Sequence, residues 1–132
     1  MQYLVLVGRV LYALIFIMYG ITHFTMFGAV TGYAESMGAP LPSVSVIVAG
    51  VLILLGGISI LLGYKAKIGA VLLFVFLIPT AFIMHPFWSI EDPMMAQAQM
   101  AQFLKNIALA GAALMILHSG SGPLSLDKSD SV

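Results

Sequence analysis

The sequence predicts an all-α integral membrane protein, a four-helix bundle with a short interfacial helical segment between spans one and two. Three observations predict it. The 132 residues are 61% hydrophobic and only 8% charged, against about 45–50% and about 25% in soluble domains. The apolar residues gather into four long stretches separated by connections bearing Gly, Pro or charge. None of the four stretches contains an Asp or Glu.

About 20 helical residues cross the roughly 30 Å of a bilayer's hydrocarbon. Span one covers about residues 3–23, and Arg9 is its one charged residue. It has no basic region ahead of it and no small-x-small site behind it, so it is expected to be retained rather than cleaved as a signal peptide. Phe24–Met37 follows, with Phe27, Val30, Tyr33, Ala34 and Met37 at helical spacing. It is the expected interfacial segment. Gly38-Ala39-Pro40-Leu41-Pro42 ends it and launches span two, about 44–63, which carries no charge. Span three, about 67–85, contains Pro79, and His85-Pro86 stops it. Asp92-Pro93 supplies an acidic N-cap and a Pro at the first helical position for span four, about 93–118. Residues 1–120 thus make one transmembrane domain, and 121–132 read as a flexible polar tail.

The chain carries five basic and five acidic side chains and no Cys. The charge balance gives no basic surface for nucleic acid. Zero Cys excludes a thiol–disulfide enzyme, an iron–sulfur cluster held by this chain and a Cys-ligated zinc site. Lys65 and Lys67 fall in the turn between spans two and three, and Lys128 in the tail; the two longer connections hold Glu35, Glu91 and Asp92 and no cation. The positive-inside rule then places both termini and the Lys65–Lys67 turn in the cytoplasm and the longer connections on the outward side.

On span one, Arg9, Tyr12, Phe16, Tyr19, Gly20 and His23 share about 100° of helical arc, so this face is expected to look into the bundle. Arg9 and His23 lie roughly 21 Å apart along the axis and cannot serve one small site. Arg9 is expected to snorkel to an anion or lipid headgroup on the cytoplasmic side, with Ser59, Tyr64 and Asp127 as alternative acceptors. At the other end, His23, His85, Trp88, Gln102, Lys105 and Asn106, joined by Tyr19, are the candidate ligand-binding residues. They would line an outward-facing pocket for a polar head on an apolar body, a shape that a quinone has. Phe24–Met37 and Trp88 would roof it, and Glu35, Glu91 or Asp92 would pair Lys105. Two His without a neighbouring carboxylate or Cys argue against a metal site or haem, and His118 is expected to cap a helix at the far end. Ala49, Gly56 and Gly63, with Gly50 and Gly57 beside them, and Ala108, Gly111 and Ala112 on span four form small-residue faces for close helix approach or homo-oligomers.

Several short motifs occur in a telling order: Gly8-Arg9, Tyr19-Gly20, Phe27-Gly28, Tyr33, Gly38-Ala39-Pro40, Gly56-Gly57, His85-Pro86-Phe87-Trp88, Phe103-Leu104-Lys105-Asn106, and Gly122-Pro123 with Ser125-Leu126-Asp127. In that order the chain resembles the DoxX family of small four-helix bacterial inner-membrane proteins. The resemblance implies association with membrane oxidoreductases, since members resemble a subunit of a thiosulfate:quinone oxidoreductase. One departure stands out: many relatives place a Glu just before the span-two Gly-Gly, where this chain has Ile53-Leu54-Leu55.

Three functions follow. The first is a membrane subunit or accessory of a quinone-linked oxidoreductase, with an oxidoreductase partner protein. Nothing in the chain is redox-active without a bound cofactor, so it is no self-sufficient enzyme. The second is a non-enzymatic adaptor or assembly factor. The third, a small-molecule transporter, is weakened by the missing intramembrane acid that proton coupling needs.

Overall fold

The computed structural model describes residues 1–127, and within them the chain is all helical apart from its turns. Its elements are α1 (Gln2–Thr25), α2 (Phe27–Ser36), α3 (Pro42–Leu62), α4 (Ala66–Met84), a single 3-10 turn (Phe87–Ser89) and α5 (Pro93–Ser119). Among the described residues four helices are long and apolar enough to cross a membrane: α1, α3, α4 with the turn behind it, and α5. In lipid such segments keep every backbone amide paired within the helix.

Local chemistry sets the breaks. α2 fills the segment expected to lie at the interface and closes on Gly38, whose φ of 80° admits a left-handed turn. Pro42 opens α3. Asp92 accepts from the Met94 N–H, 3.3 Å away, and Pro93 opens α5. α4 runs unbroken through Pro79; the proline lacks the N–H that would bind the Val75 carbonyl, which leaves that acceptor free. His118 lies in the last turn of α5, and the cap itself is Gly120.

α1 packs on α3, α3 on α4, and α4 on α5, while α2 lies over α3 and α1. The shared core comprises Ala13 and Phe16 of α1, Ile53 and Ile60 of α3, Leu73 and Leu77 of α4, and Ala110 and Ala113 of α5. Glycine lets the helices close. A Cβ on Gly57 would meet Phe16 Cβ at 3.2 Å, and one on Gly56 would meet the Gly69 carbonyl at 3.0 Å. The α3 part of the small-residue face is therefore used within the chain, against α1 and α4. Ala108 and Gly111 stay exposed on α5. Across the bundle, α1 and α5 are bridged by Tyr12 Oη, which donates to the Leu109 carbonyl at 2.8 Å.

Residues 121–127 depart from the flexible tail expected from their composition. They fold back onto the α3–α4 turn. The Leu126 N–H donates to the Leu62 carbonyl at 3.1 Å and the Asp127 N–H to the Gly63 carbonyl at 2.8 Å. The Asp127 carboxylate accepts from the Lys65 N–H at 2.8 Å and the Ala66 N–H at 3.3 Å. The segment thus satisfies the last carbonyls of α3 and the first N–H groups of α4, which a helix leaves unpaired at its ends. Lys128 and the remainder of the tail, used above in the charge count, lie outside the described residues.

Candidate functional site

Two polar assemblies occupy opposite ends of the bundle. The first surrounds Arg9. The guanidinium does not extend to headgroups: Arg9 is 5% exposed and donates through Nη1 to the Ser121 carbonyl at 3.1 Å and through Nη2 to the Leu124 carbonyl. The tail segment arrives where snorkelling would have led, so backbone carbonyls replace lipid phosphate. Ser59 serves the turn instead, donating to the Tyr64 carbonyl at 2.6 Å. Ser121 Oγ donates to Asp127.

Asp127 is held below the usual carboxylate range, first by the Ser121 hydroxyl and then by the Lys65 N–H; burial opposes this, while the Ala66 N–H and the charge of Arg9 add to it. A carboxylate lowered in the folded state contributes stability above its unfolded value, about 3.9, and loses it as pH falls through the folded value. The melting temperature in detergent should therefore hold between about pH 7 and pH 5 and fall below about pH 4. The Asp127→Asn variant should start lower and show a shallower fall; an identical profile would remove Asp127 from the account.

The second assembly is a cavity of about 670 Å³ at the α2 end, walled by α1, α3, α4 and α5 and covered by Val30, Tyr33 and Ala34 of α2. Tyr19, His23, His85, Gln102, Lys105 and Asn106 all line it. Trp88 does not. It stacks with Phe82, Phe87 and Phe103, with ring centroids 5.2–6.1 Å apart, outside the cavity. The rest of the wall is largely apolar, with Phe16, Leu52, Ile53, Phe76, Leu77 and Leu109 among its residues.

The polar groups differ in how far they are satisfied. His23 Nδ1 lies 2.7 Å from the Tyr19 carbonyl and must donate to it, so in the neutral ring Nε2 carries the lone pair. His85 Nδ1 lies 2.7 Å from Gln99 Oε1 and stands in the same relation. Asn106 is 3% exposed and its side-chain amide makes no hydrogen bond among the described residues; it is not one of the fully buried unpartnered groups, which are Arg9 Nε and Thr31 Oγ1, so its polar atoms keep some access to the cavity. Lys105 forms no ion pair among them; its ammonium lies 5.7 Å from the centre of the Tyr19 ring. Glu35, Glu91 and Asp92, the acids expected to pair Lys105, are all exposed. Among the described residues no three His, Asp or Glu side chains gather as metal ligands would, so the polar wall offers hydrogen bonds and one positive charge.

Sequence reasoning missed the α4 contribution. Val75, Pro79 and Thr80 line the cavity, and the signal was Pro79, whose missing N–H leaves a carbonyl unpaired inside an otherwise regular helix.

Fold and site together define a polytopic helical membrane protein with a largely apolar cavity near one end. The DoxX family model matches residues 4–86. The chain is 34% identical to the inner membrane protein YphA of Escherichia coli K12, over 95% of this chain and 89% of that protein. It is 30% identical to the inner membrane protein YqjF of the same organism, over 94% of this chain and 89% of that one. No solved structure matches. The chain belongs to the DoxX family, and it is a multi-pass inner-membrane protein in contact with the lipid bilayer.

Proposed function

We propose that this protein holds one amphipathic small molecule inside the bilayer, its polar head at Asn106 and its apolar body along α3 and α4. The observation that carries this reading is Asn106, a residue 3% exposed whose amide has no partner among the described residues and opens onto a cavity of about 670 Å³. Buried amides are nearly always hydrogen-bonded, because leaving one unpaired costs about 1–3 kcal/mol. A ligand carbonyl or hydroxyl supplies the missing partner. The volume lies within the roughly 300–1,000 Å³ of sites that enclose one small molecule.

A quinone fits these residues: the Asn106 amide and the Lys105 ammonium donate to its carbonyls, and the apolar wall takes the ring and tail. When bound it would supply the redox chemistry that the chain lacks. The finer reading is then a membrane subunit or accessory of a quinone-linked oxidoreductase. In the adaptor alternative the cavity binds no ligand and the protein serves only to position a partner.

The test is titration of purified protein with ubiquinone-1, following quenching of the single Trp, Trp88. Saturable quenching that Asn106→Leu abolishes supports the reading; quenching that rises linearly and equally in both proteins supports the adaptor.

The orientation proposed from Lys65 and Lys67 puts both termini in the cytoplasm and the cavity in the outer half of the membrane. Cys introduced at Ser89 should react with an impermeant maleimide added to intact spheroplasts, and Cys introduced at Lys67 only after lysis. The reverse pattern would invert the protein.

A further inference from the structure

The charge pattern of the cavity narrows the ligand beyond its shape. Among the described residues no Asp or Glu lines the cavity, and Lys105 does. Lys105 is the thirteenth residue of α5, which puts it roughly 18 Å below the start of that helix at about 1.5 Å per residue. The whole of α5 is about 40 Å long by the same rise, some 10 Å more than the hydrocarbon it crosses. Lys105 therefore lies below the interface, where an unpaired ammonium is costly. The Tyr19 ring offsets part of that cost through its π face.

The contrast with Arg9 is informative. Arg9, which also lies well inside a span, is surrounded by two carbonyls and has Asp127 nearby. The protein surrounds its buried cation, Arg9, with its own chain and leaves Lys105, half-buried, on the wall of a cavity. Asn106, the next residue on α5, adds an unpaired amide to the same wall.

From this we infer that the ligand carries a negative charge in its head and a single apolar chain: a carboxylate amphipath of the long-chain fatty acid type, its carboxylate on Lys105 and Asn106. The inference rests on the cavity being a ligand site. Shape alone admits a neutral quinone, but such a molecule would leave the ammonium without a counter-charge. A two-chain phospholipid brings the right charge with more apolar volume than one pocket of about 670 Å³ is suited to hold.

The test uses full-length protein in nanodiscs of phosphatidylcholine, labelled with diazirine-bearing palmitate, the crosslinked residues being mapped by mass spectrometry. Label should fall on cavity residues such as Phe76, Leu52 or Ile53. Oleate should compete at least about tenfold better than oleyl alcohol, as expected for one charge-assisted contact in a dry site. Lys105→Met should weaken labelling by a similar factor, while Lys105→Arg, which keeps the charge, should retain most of it and serves as the control for folding. Oleyl alcohol or ubiquinone-1 competing as well as oleate, or full labelling of Lys105→Met, would overturn the anionic head and leave the cavity as a ligand site. Phosphatidate competing as well as oleate would overturn the single chain. Absence of cavity label from both the palmitate probe and a diazirine-bearing fatty alcohol would overturn the ligand site itself.

Discussion

Replacing Arg9 with Met is expected to destabilise the folded protein by about 3 kcal/mol, the worth of one or two hydrogen bonds from a charged donor. The guanidinium binds two carbonyls three residues apart, on Ser121 and Leu124. Ser121 is 6% exposed, so water has little access to replace the lost donor. Arg9 Nε is itself buried without a partner, which lowers the net contribution and keeps the figure near 3 rather than near the roughly 6 kcal/mol of two strong charged bonds. The loss should propagate to the turn, because the same segment presents Asp127 to the N–H groups of Lys65 and Ala66. Gly63 tightens the assembly: it sits at φ 67°, and a Cβ there would overlap Ser125 and the Arg9 guanidinium. Unfolding in detergent by SDS titration measures the effect. Arg9→Lys should recover less than half of it, since a point charge cannot span two carbonyls as a planar fork does. If Arg9→Lys matches the wild type, the fork contributes nothing and the positive charge alone holds the segment.

The helices were legible because lipid permits so few solutions. Long apolar stretches without acids can only be spans, and the punctuation at Gly38, Pro42 and Asp92-Pro93 acts locally, within a residue or two of where it is written. The gathering of Tyr19, His23, His85, Gln102, Lys105 and Asn106 was legible for the same reason. Residues at matching depths on a small bundle have few places to go. What was not legible depended on long-range contact. Asp127 was named as an acceptor for Arg9, but composition cannot tell a loose Ser- and Gly-rich tail from one folded onto a helix turn. The difference is made by carbonyls, which every residue has and no sequence pattern marks. Trp88 was grouped with these residues by expected depth, yet its partners Phe82, Phe87 and Phe103 draw it out of the cavity, and depth alone does not fix azimuth. The pairing of Lys105 with Glu35, Glu91 or Asp92 assumed that a cation within a span must be neutralised by its own chain, and all three acids are exposed.

Asn106→Leu is expected to do two things that seldom go together: raise the stability of the ligand-free protein by about 1–2 kcal/mol and abolish ligand binding. The residue is 3% exposed and its amide makes no hydrogen bond among the described residues, yet it is not among the fully buried unpartnered groups and keeps some access to the cavity, so in the ligand-free protein it carries part of a desolvation cost that an apolar side chain does not. Leu adds apolar contact to a wall already lined by Phe76, Leu77 and Leu109. The substitution faces a cavity of about 670 Å³, so the extra volume has room without displacing a neighbour. Ala110 and Ala113 lie one and two turns further along the same face of α5, 2% and 1% exposed, and show the apolar composition that this face takes where it meets other helices. A polar residue at a buried position of α5 that meets the cavity marks a stability cost offset only when a ligand is present. SDS titration of the two proteins measures the stability, and ubiquinone-1 and the palmitate probe report binding. Were Asn106→Leu less stable than the wild type, the amide would have to be paired in the ligand-free protein, by ordered water, and the argument that a ligand completes it would lose its footing. A more stable variant that has lost both ligands would identify Asn106 as a residue that the protein retains for binding at the expense of its own fold.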